Sequence, residues 1–372
     1  MNFSCEKALL LSALLNVSRA VPSRSSVAAL EGILIEAGQR LRLTGYNLEV
    51  GISEQLDADI TRSGSAVVNA RLLTDIVRRL PDDTVTFTMG ENMVLHITCG
   101  GAAFDVASCM EGSAFPKMTA VVKEKSAALP QKMLREMIHG TLFAVSDSEN
   151  KTVHNGAKFI WEDGSLVVVA IDGYRLALRR QPFEGDAPGE DFVVPGQALR
   201  EVERLLVDSD DAGVSLVLGG RHILFQMGEV TLTTRLLEGE FMNYQTTVPK
   251  DQPVRVTPDA DAVTAGLERV SLLISEKVKN PVRLRLAEDT LFLSCTTALG
   301  AARDSCPAWI EGLEGEMEIG FNHKYLLDAL RALPDGDCEI RLTNPLSPCV
   351  IAPKEGDAYV YMVLPVRLRV ES

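Results

Sequence analysis

One stretch of this chain is written three times, about 126 residues apart, and that repeat confines the fold to three like parts in tandem. The first copy runs from Val67 to Pro81 and the third from Gly320 to Pro334; Leu80-Pro81 and Leu333-Pro334 lie 253 positions apart. The middle copy, Val193 to Leu206, places Leu199 126 positions after Leu73. Other features follow a similar spacing. Gly45-Tyr46-Asn47-Leu48 aligns with Gly173-Tyr174-Arg175-Leu176, and Glu111-Gly112 with Phe115 resembles Glu238-Gly239 with Phe241. A period this long is a whole domain, not the short unit of a solenoid.

Each repeat opens with a helix candidate, at about 5–19, 130–143 and 258–274; the last two follow Pro130 and Pro258, where proline suits a first helical turn. Two strand candidates, a second helix and further strands follow, with Gly32–Glu36 and Ser165–Val169 as examples. Linkers are expected near Val122–Ala128 and Pro249–Thr257. The second helix carries an apolar face, Leu72, Leu73, Ile76, Val77 and Leu80 in the first repeat and Tyr325, Leu326, Ala329, Leu330 and Leu333 in the third, the spacing of a helix laid on a sheet. The expected fold class is α+β: three repeated two-helix, antiparallel-sheet domains over 1–122, 128–249 and 253–372.

Composition excludes several classes. Hydrophobic residues are 46% and charged residues 24% of 372, enough for a core in each repeat and unlike a disordered chain. No run of eighteen apolar residues exists to span a bilayer as a helix. At the N-terminus, Glu6, Lys7, Ser12 and Asn16 break the pattern of a signal peptide; a short strand entering an amphipathic helix fits better. The cysteines are seven, an odd number without a CxxC pair, which points to reduced thiols in a cytosolic protein rather than disulfides or a zinc site.

A formal charge of −14 argues against nucleic acid when taken as a sum, but placement matters more. Arg78, Arg204 and Arg331 recur at intervals of 126 and 127; Arg71 and Lys324 are equivalent, with Gln197 between. Arg71 and Arg78, seven apart, share the helix face opposite the apolar one. Symmetric cations of this kind suit either a sequence-independent phosphate surface or ordinary solvated helix faces, and Asp75, Glu201, Glu203 and Asp328 lie among them.

Catalytic constellations are missing from the sequence. It holds no GxxxxGK[ST], GxSxG or HExxH, and its five histidines, His96, His139, His154, His222 and His323, have neither cysteine nor aspartate at ligand spacing. Gly219-Gly220 reads as a hairpin turn, and Asp172-Gly173-Tyr174-Arg175 as a turn rather than a catalytic loop. No catalytic residue, metal or cofactor is expected.

Four stretches carry a resemblance to a known family: Val169 to Ala177; Leu237-Glu238-Gly239-Glu240-Phe241 with Tyr244 and Pro249-Lys250; Met317 to Asn322; and Tyr361 to Leu368. With the threefold repeat, they make the chain resemble, over nearly its whole length, the bacterial sliding clamp family, the beta subunit of the replicative DNA polymerase III. The resemblance implies three domains per chain and two chains per ring, helices lining the hole and sheets outside. It implies a non-enzymatic homodimer that encircles double-stranded DNA and tethers the polymerase alpha subunit, other polymerases and repair proteins through short peptide motifs. It also implies a clamp loader that opens the ring, and work in the cytoplasm, on the nucleoid and away from any membrane.

Residue by residue, the resemblance places a partner-peptide pocket on Ile171, Gly173, Tyr174, Arg175, Leu176 and Met242, with the terminal run Met362, Val363, Leu364, Pro365, Val366, Arg367 and Leu368. Such an apolar, Met-bearing groove suits short peptides from many partners. DNA contacts are implied at Arg24, Arg71, Arg78 and Lys151, beside Arg204 and Arg331 from the repeat spacing; a ring interface is implied with Phe104 and Val106 facing Leu272 and Leu273. Departures from the family pattern are Met242 for proline, His154 for leucine, Thr246 for arginine, Thr152-Val153 for an aromatic pair, Gly196-Gln197 for a basic pair, and the added Arg369-Val370-Glu371-Ser372.

Overall fold

The computed structural model describes residues 1–90, 92–148, 152–275, 280–334 and 338–368. Among them are six α-helices: α1 (Lys7–Ser18), α2 (Ala70–Arg79), α3 (Gln131–Leu142), α4 (Gly196–Leu205), α5 (Ala260–Ser271) and α6 (His323–Arg331). Three sheets hold the strands, and every ladder is antiparallel. The chain is thus α+β with two helices per repeat. A strand precedes the first helix of each repeat, at Asn2–Glu6, Lys125–Pro130 and Val254–Pro258. Pro130 and Pro258 therefore end strands instead of opening helices, and Asp259 caps α5, its Oδ1 accepting from Ala262 N at 3.0 Å. The same strands shorten both expected linkers.

By compactness the chain divides in two, and neither part is a single repeat. The first unit comprises Met1–Lys132, Gly185–Pro188 and Arg204–Leu236. Its five-stranded sheet runs in the order Asp59–Arg62, Asn2–Glu6, Thr84–Met89, Leu95–Cys99, Ala102–Val106, so Ala102–Val106 is an edge. Its nine-stranded sheet crosses from the first repeat to the second where Val50–Leu56 pairs with Val230–Arg235, Ile52 opposite Leu232. Beneath lie α1, through Leu10, Leu14 and Val17, and α2, through Leu73, Ile76 and Val77. Phe3 stacks on Phe87 at 4.8 Å. Asn69 caps α2 by accepting from Leu72 N at 3.0 Å. Leu72 departs from the expected apolar face: it is 42% exposed, because the four residues Leu73, Ile76, Val77 and Leu80 already fill the contact with the sheet.

The second unit comprises Met133–Glu184, Gly189–Glu203 and Leu237–Ser372. A twelve-stranded sheet crosses from the second repeat to the third where Arg175–Pro182 pairs with Tyr359–Val363. Tyr361 lies fully buried under this crossing and donates to the carbonyl of Ala332 at 2.9 Å; burial pushes its phenol up to about 12, so it stays a neutral donor.

The repeat is visible atom by atom in three hairpin turns. Asn47 Oδ1 accepts from Glu49 N and Val50 N at 3.0 and 2.7 Å; Asp172 Oδ1 accepts from Tyr174 N and Arg175 N at 2.9 and 3.0 Å; Thr297 Oγ1 accepts from Leu299 N at 3.1 Å. These three residues are spaced by 125, so the turn at Asp172 matches Asn47 and not, as the Gly-Tyr dipeptides suggest, a register of 128. A short side-chain oxygen closing the turn is the shared requirement. Gly173 sits at φ +91, where the absence of a Cβ removes the strain.

Helices α3 and α4 are tied by His139, whose Nδ1 hydrogen-bonds Glu203 Oε1 at 2.8 Å. Glu203 raises the imidazole above its ordinary value, against desolvation and the neighbouring charges of Arg135 and Arg179. A raised folded-state value means the link stabilises fully below the unfolded value of 6.5 and is lost as pH rises through the folded one. The melting temperature of His139→Gln is expected to fall below the parent's at pH 6 and to converge on it by about pH 8.5, measured by thermal denaturation across that range.

Candidate functional site

The hairpin tip at Asp172 to Arg175 is held from three sides. Its strands pair Ile171 with Leu176, and Asp172 closes the turn. Arg175 is buried, with Nε on Asp172 Oδ2 at 2.9 Å and Nη1 on Asp328 Oδ2, from α6, at 2.6 Å. Its guanidinium also lies over the Tyr325 ring at 4.4 Å and the Phe143 ring at 5.5 Å. Two carboxylates and two ring faces thus satisfy a cation that burial alone would forbid. Arg175 therefore acts as a clip between the second and third repeats. Tyr174, 62% exposed, is left stacked on Tyr325 with centroids 6.1 Å apart.

Beside this tip lies an apolar cluster that includes Ile171, Leu176, Tyr244, Val350 and Met362, with Phe241 and Leu364 packed on its rim. The terminal run leaves the strand after Val363 and stays attached: Leu364 N donates to Tyr174 O at 2.9 Å, and Val366 N to Gly320 O at 2.8 Å. Gly320 suits that approach, since a Cβ there would stand 2.8 Å from the backbone carbonyl oxygen of Val366. Met362 and Val363 are core; Pro365 and Leu368 are half-buried; Val366 and Arg367 are exposed.

Phe241 also lines an open cavity of about 540 Å³ between Thr152–His154 and Glu238–Asn243. Met242 and His154 both face it, and the His154 ring meets Phe241 edge-on at 5.2 Å. Thr246 turns back on its own helix, donating to Asn243 O at 3.0 Å. The structure thus gathers Ile171, Leu176 and Met362 into one buried floor and leaves only Tyr174 exposed and Leu364 half-buried at its edge, with Met242 beside it, so these three expected pocket residues support the surface from below instead of lining it. The sequence reading missed Tyr325, Asp328, Phe143 and Phe241; only the Leu-Glu-Gly-Glu-Phe stretch hinted at the last.

Among the cationic positions, Arg24, Arg71, Arg78, Arg204 and Arg331 are all exposed, and Lys151 lies outside the described residues. Arg78 pairs with Asp75 at 3.2 Å and Arg331 with Glu268 at 2.6 Å, so part of their charge is spent locally. Of the four apolar residues assigned to a ring interface, Leu272 is 83% exposed and Phe104 is exposed on the edge strand; Leu273 is half-buried and Val106 is buried within its own sheet.

Three family models match in order along the chain: the DNA polymerase III beta subunit N-terminal domain over 1–119, its central domain over 128–243 and its C-terminal domain over 245–367. The chain belongs to the beta sliding clamp family. It is 35% identical to a Beta sliding clamp of Synechocystis, over 99% of this chain and all of that protein. The crystal structure of a DNA polymerase sliding clamp from Bacillus subtilis superposes with a TM-score of 0.92 at 28% identity, covering 99% of this chain and all of the other. A sliding clamp from Pseudomonas aeruginosa, solved bound to griselimycin, superposes with a TM-score of 0.91 at 29% identity and the same coverage. The function that follows is that of a non-catalytic processivity subunit, in a family that binds DNA and polymerases.

Removing the clip tests the site's dependence on it. Arg175→Ala leaves Asp172 and Asp328 facing each other and is expected to cost about 3 kcal/mol, read from urea denaturation.

Proposed function

We propose that two copies of this chain close head to tail into a ring around duplex DNA, and that the surface at Tyr174 and Leu364, over the buried floor of Leu176 and Met362, holds short apolar peptides of its client proteins. One observation carries the ring. Two of the three seams between repeats are made inside the chain, at Val50–Leu56 with Val230–Arg235 and at Arg175–Pro182 with Tyr359–Val363. The strands equivalent to these, the edge Ala102–Val106 and the leading half of Gly300–Glu311, remain unpaired on that side among the described residues. An unpaired edge of this kind invites a partner strand. A second copy offers the complementary edge at each end, and two such pairings leave no seam between repeats open. Phe104 and Val106 then face Leu272 and Leu273 of the other copy. The repeats act as three domains, 1–122, 128–249 and 253–372.

In this reading, DNA is held by enclosure. Arg24, Arg71, Arg78, Lys151, Arg204 and Arg331 supply weak phosphate contacts that let the ring slide. The pocket takes the alpha subunit of the replicative polymerase, the clamp loader, and other polymerases and repair proteins. Its apolar floor, a stacked tyrosine pair and Met242 suit peptides that vary in sequence. The griselimycin-bound relative supports a ligand-accepting surface in the family. No described helix is long and apolar enough to cross a membrane, in keeping with work in the cytoplasm on the nucleoid.

Light scattering over a range of concentrations is expected to give twice the chain mass, and a loaded ring is expected to stay on nicked circular DNA and leave it once linearised. A monomer at every concentration, free of circular DNA, sinks the ring and favours an interaction scaffold. For the pocket, Tyr174→Ala is expected to weaken binding of a fluorescent polymerase-tail peptide by about tenfold, with the mass unchanged.

A further inference from the structure

The seam inside the second unit has three parts. Its strands pair Arg175 with Val363 and Leu176 with Met362. At its hairpin tip, Tyr174 stacks on Tyr325. Behind the tip, Arg175 reaches Asp328 on α6. Repeat geometry carries each part to the open seam. The turn period of 125 takes Tyr174 to Leu299 and Arg175 to Gly300. The helix caps Asn69 and Asn322, 253 apart, take Tyr325 to Leu72 and Asp328 to Asp75. An independent contact supports both offsets: Asn16 on α1 bonds Glu54 at 3.0 Å, and Arg269 on α5 bonds Asp304 at 2.6 Å, the same helix-to-strand link 253 and 250 residues on.

The edge strand follows by the same logic. Cys99 pairs with Ala102, and Met227 with Val230, across matching two-residue tips. Val230 therefore corresponds to Ala102, and Thr234 to Val106. The inner seams agree in register, Val50 opposite Thr234 and Arg175 opposite Val363. Carried one repeat further, that register sets Gly300 opposite Val106, Ala302 opposite Phe104, Arg303 opposite Ala103 and Asp304 opposite Ala102.

We propose that a second copy of this chain fills the open seam in this register, and that Leu299 of one copy packs on Leu72 of the other in place of the tyrosine stack. The inference rests on the ring reading and adds its contacts. It accounts for two exposed leucines that the single chain leaves unexplained, Leu299 at 78% and Leu72 at 42%. The small run Gly300-Ala301-Ala302 leaves room for the Phe104 ring. It also explains Asp75. The counterpart of Arg175 is Gly300, so no cation crosses this seam to Asp75, which turns instead to Arg78 at 3.2 Å and Arg79 at 3.7 Å. The intermolecular latch is apolar where the internal one is ionic.

The test has two arms. Leu299→Asp and Leu72→Asp, each made alone in the full chain, are expected to raise the dimer dissociation constant by about tenfold or more in analytical ultracentrifugation. Leu299→Asp combined with Leu72→Lys is expected to recover most of that loss. Both residues are exposed, and circular dichroism checks that each variant is folded. In the second arm, Ala103→Cys with Arg303→Cys in one chain is expected to give a disulfide-linked dimer on oxidation, since facing residues of an antiparallel pair lie within disulfide reach. Ala103→Cys with Ser305→Cys, two residues out of register, is expected to give little. A parent chain that dimerises while both aspartate variants match it, or in which the out-of-register pair crosslinks better, overturns the latch and its register but leaves the ring. A parent chain that never dimerises overturns the ring itself.

Discussion

Strand pairing from one repeat to the next is the interaction on which the rest depends. A sheet edge exposes a row of backbone donors and acceptors, and each is costly to bury unpaired. The first and second repeats settle theirs by sharing a nine-stranded sheet, with Ile52 and Leu232 fully buried opposite each other. At about 1.5–3 kcal/mol for each large side chain taken out of water, a seam of this length joins two repeats as firmly as a core does. This explains why compactness divides the chain inside its second repeat and not at the linkers.

The same pairing builds the site. Leu176 belongs to the second repeat and Met362 to the third, and they meet only because their strands are neighbours. Tyr174 stands against Tyr325 because Arg175 fastens the hairpin to α6 through Asp328. A surface assembled across a seam needs such a fastener, since slippage between repeats would separate its walls. A buried ion pair gives little net stability but penalises every arrangement that leaves one member alone. Arg175 is thus suited to fixing geometry, while the buried apolar cluster beside it supplies the packing.

Much of the fold was legible in the sequence because a repeat is a long-range statement. The copies from Val67 to Pro81 and from Gly320 to Pro334 both fold as a strand end and a helix, capped by Asn69 and by Asn322, 253 residues apart. The opening strands were less legible: Lys125–Pro130 and Val254–Pro258 are short and each ends in proline, and their partners, Gly213–Gly219 for the first and both Glu339–Leu342 and Gly300–Glu311 for the second, make them strands. Local pattern also misassigned Leu72, because helical spacing shows which residues share a face but not how wide the contact is. The site was half legible. Apolar runs such as Met362 to Leu364 stand out, whereas Asp328 and Phe143 reach Arg175 from distant segments, and nothing local to either announces it.

A net charge of −14 is an unexpected balance in a family that binds DNA, and the surroundings of the cations account for it. Arg78 is paired with Asp75 and Arg331 with Glu268, so part of each charge is neutralised within the chain. A protein that held DNA by affinity would be weakened by such pairing, because each phosphate contact adds to binding and to its salt dependence. For a protein that holds DNA by enclosure the requirement is reversed. In the proposed ring, contacts must be weak enough to exchange as it moves. Retention in the proposed ring then depends on the seams, strand against strand, and not on arginine against phosphate.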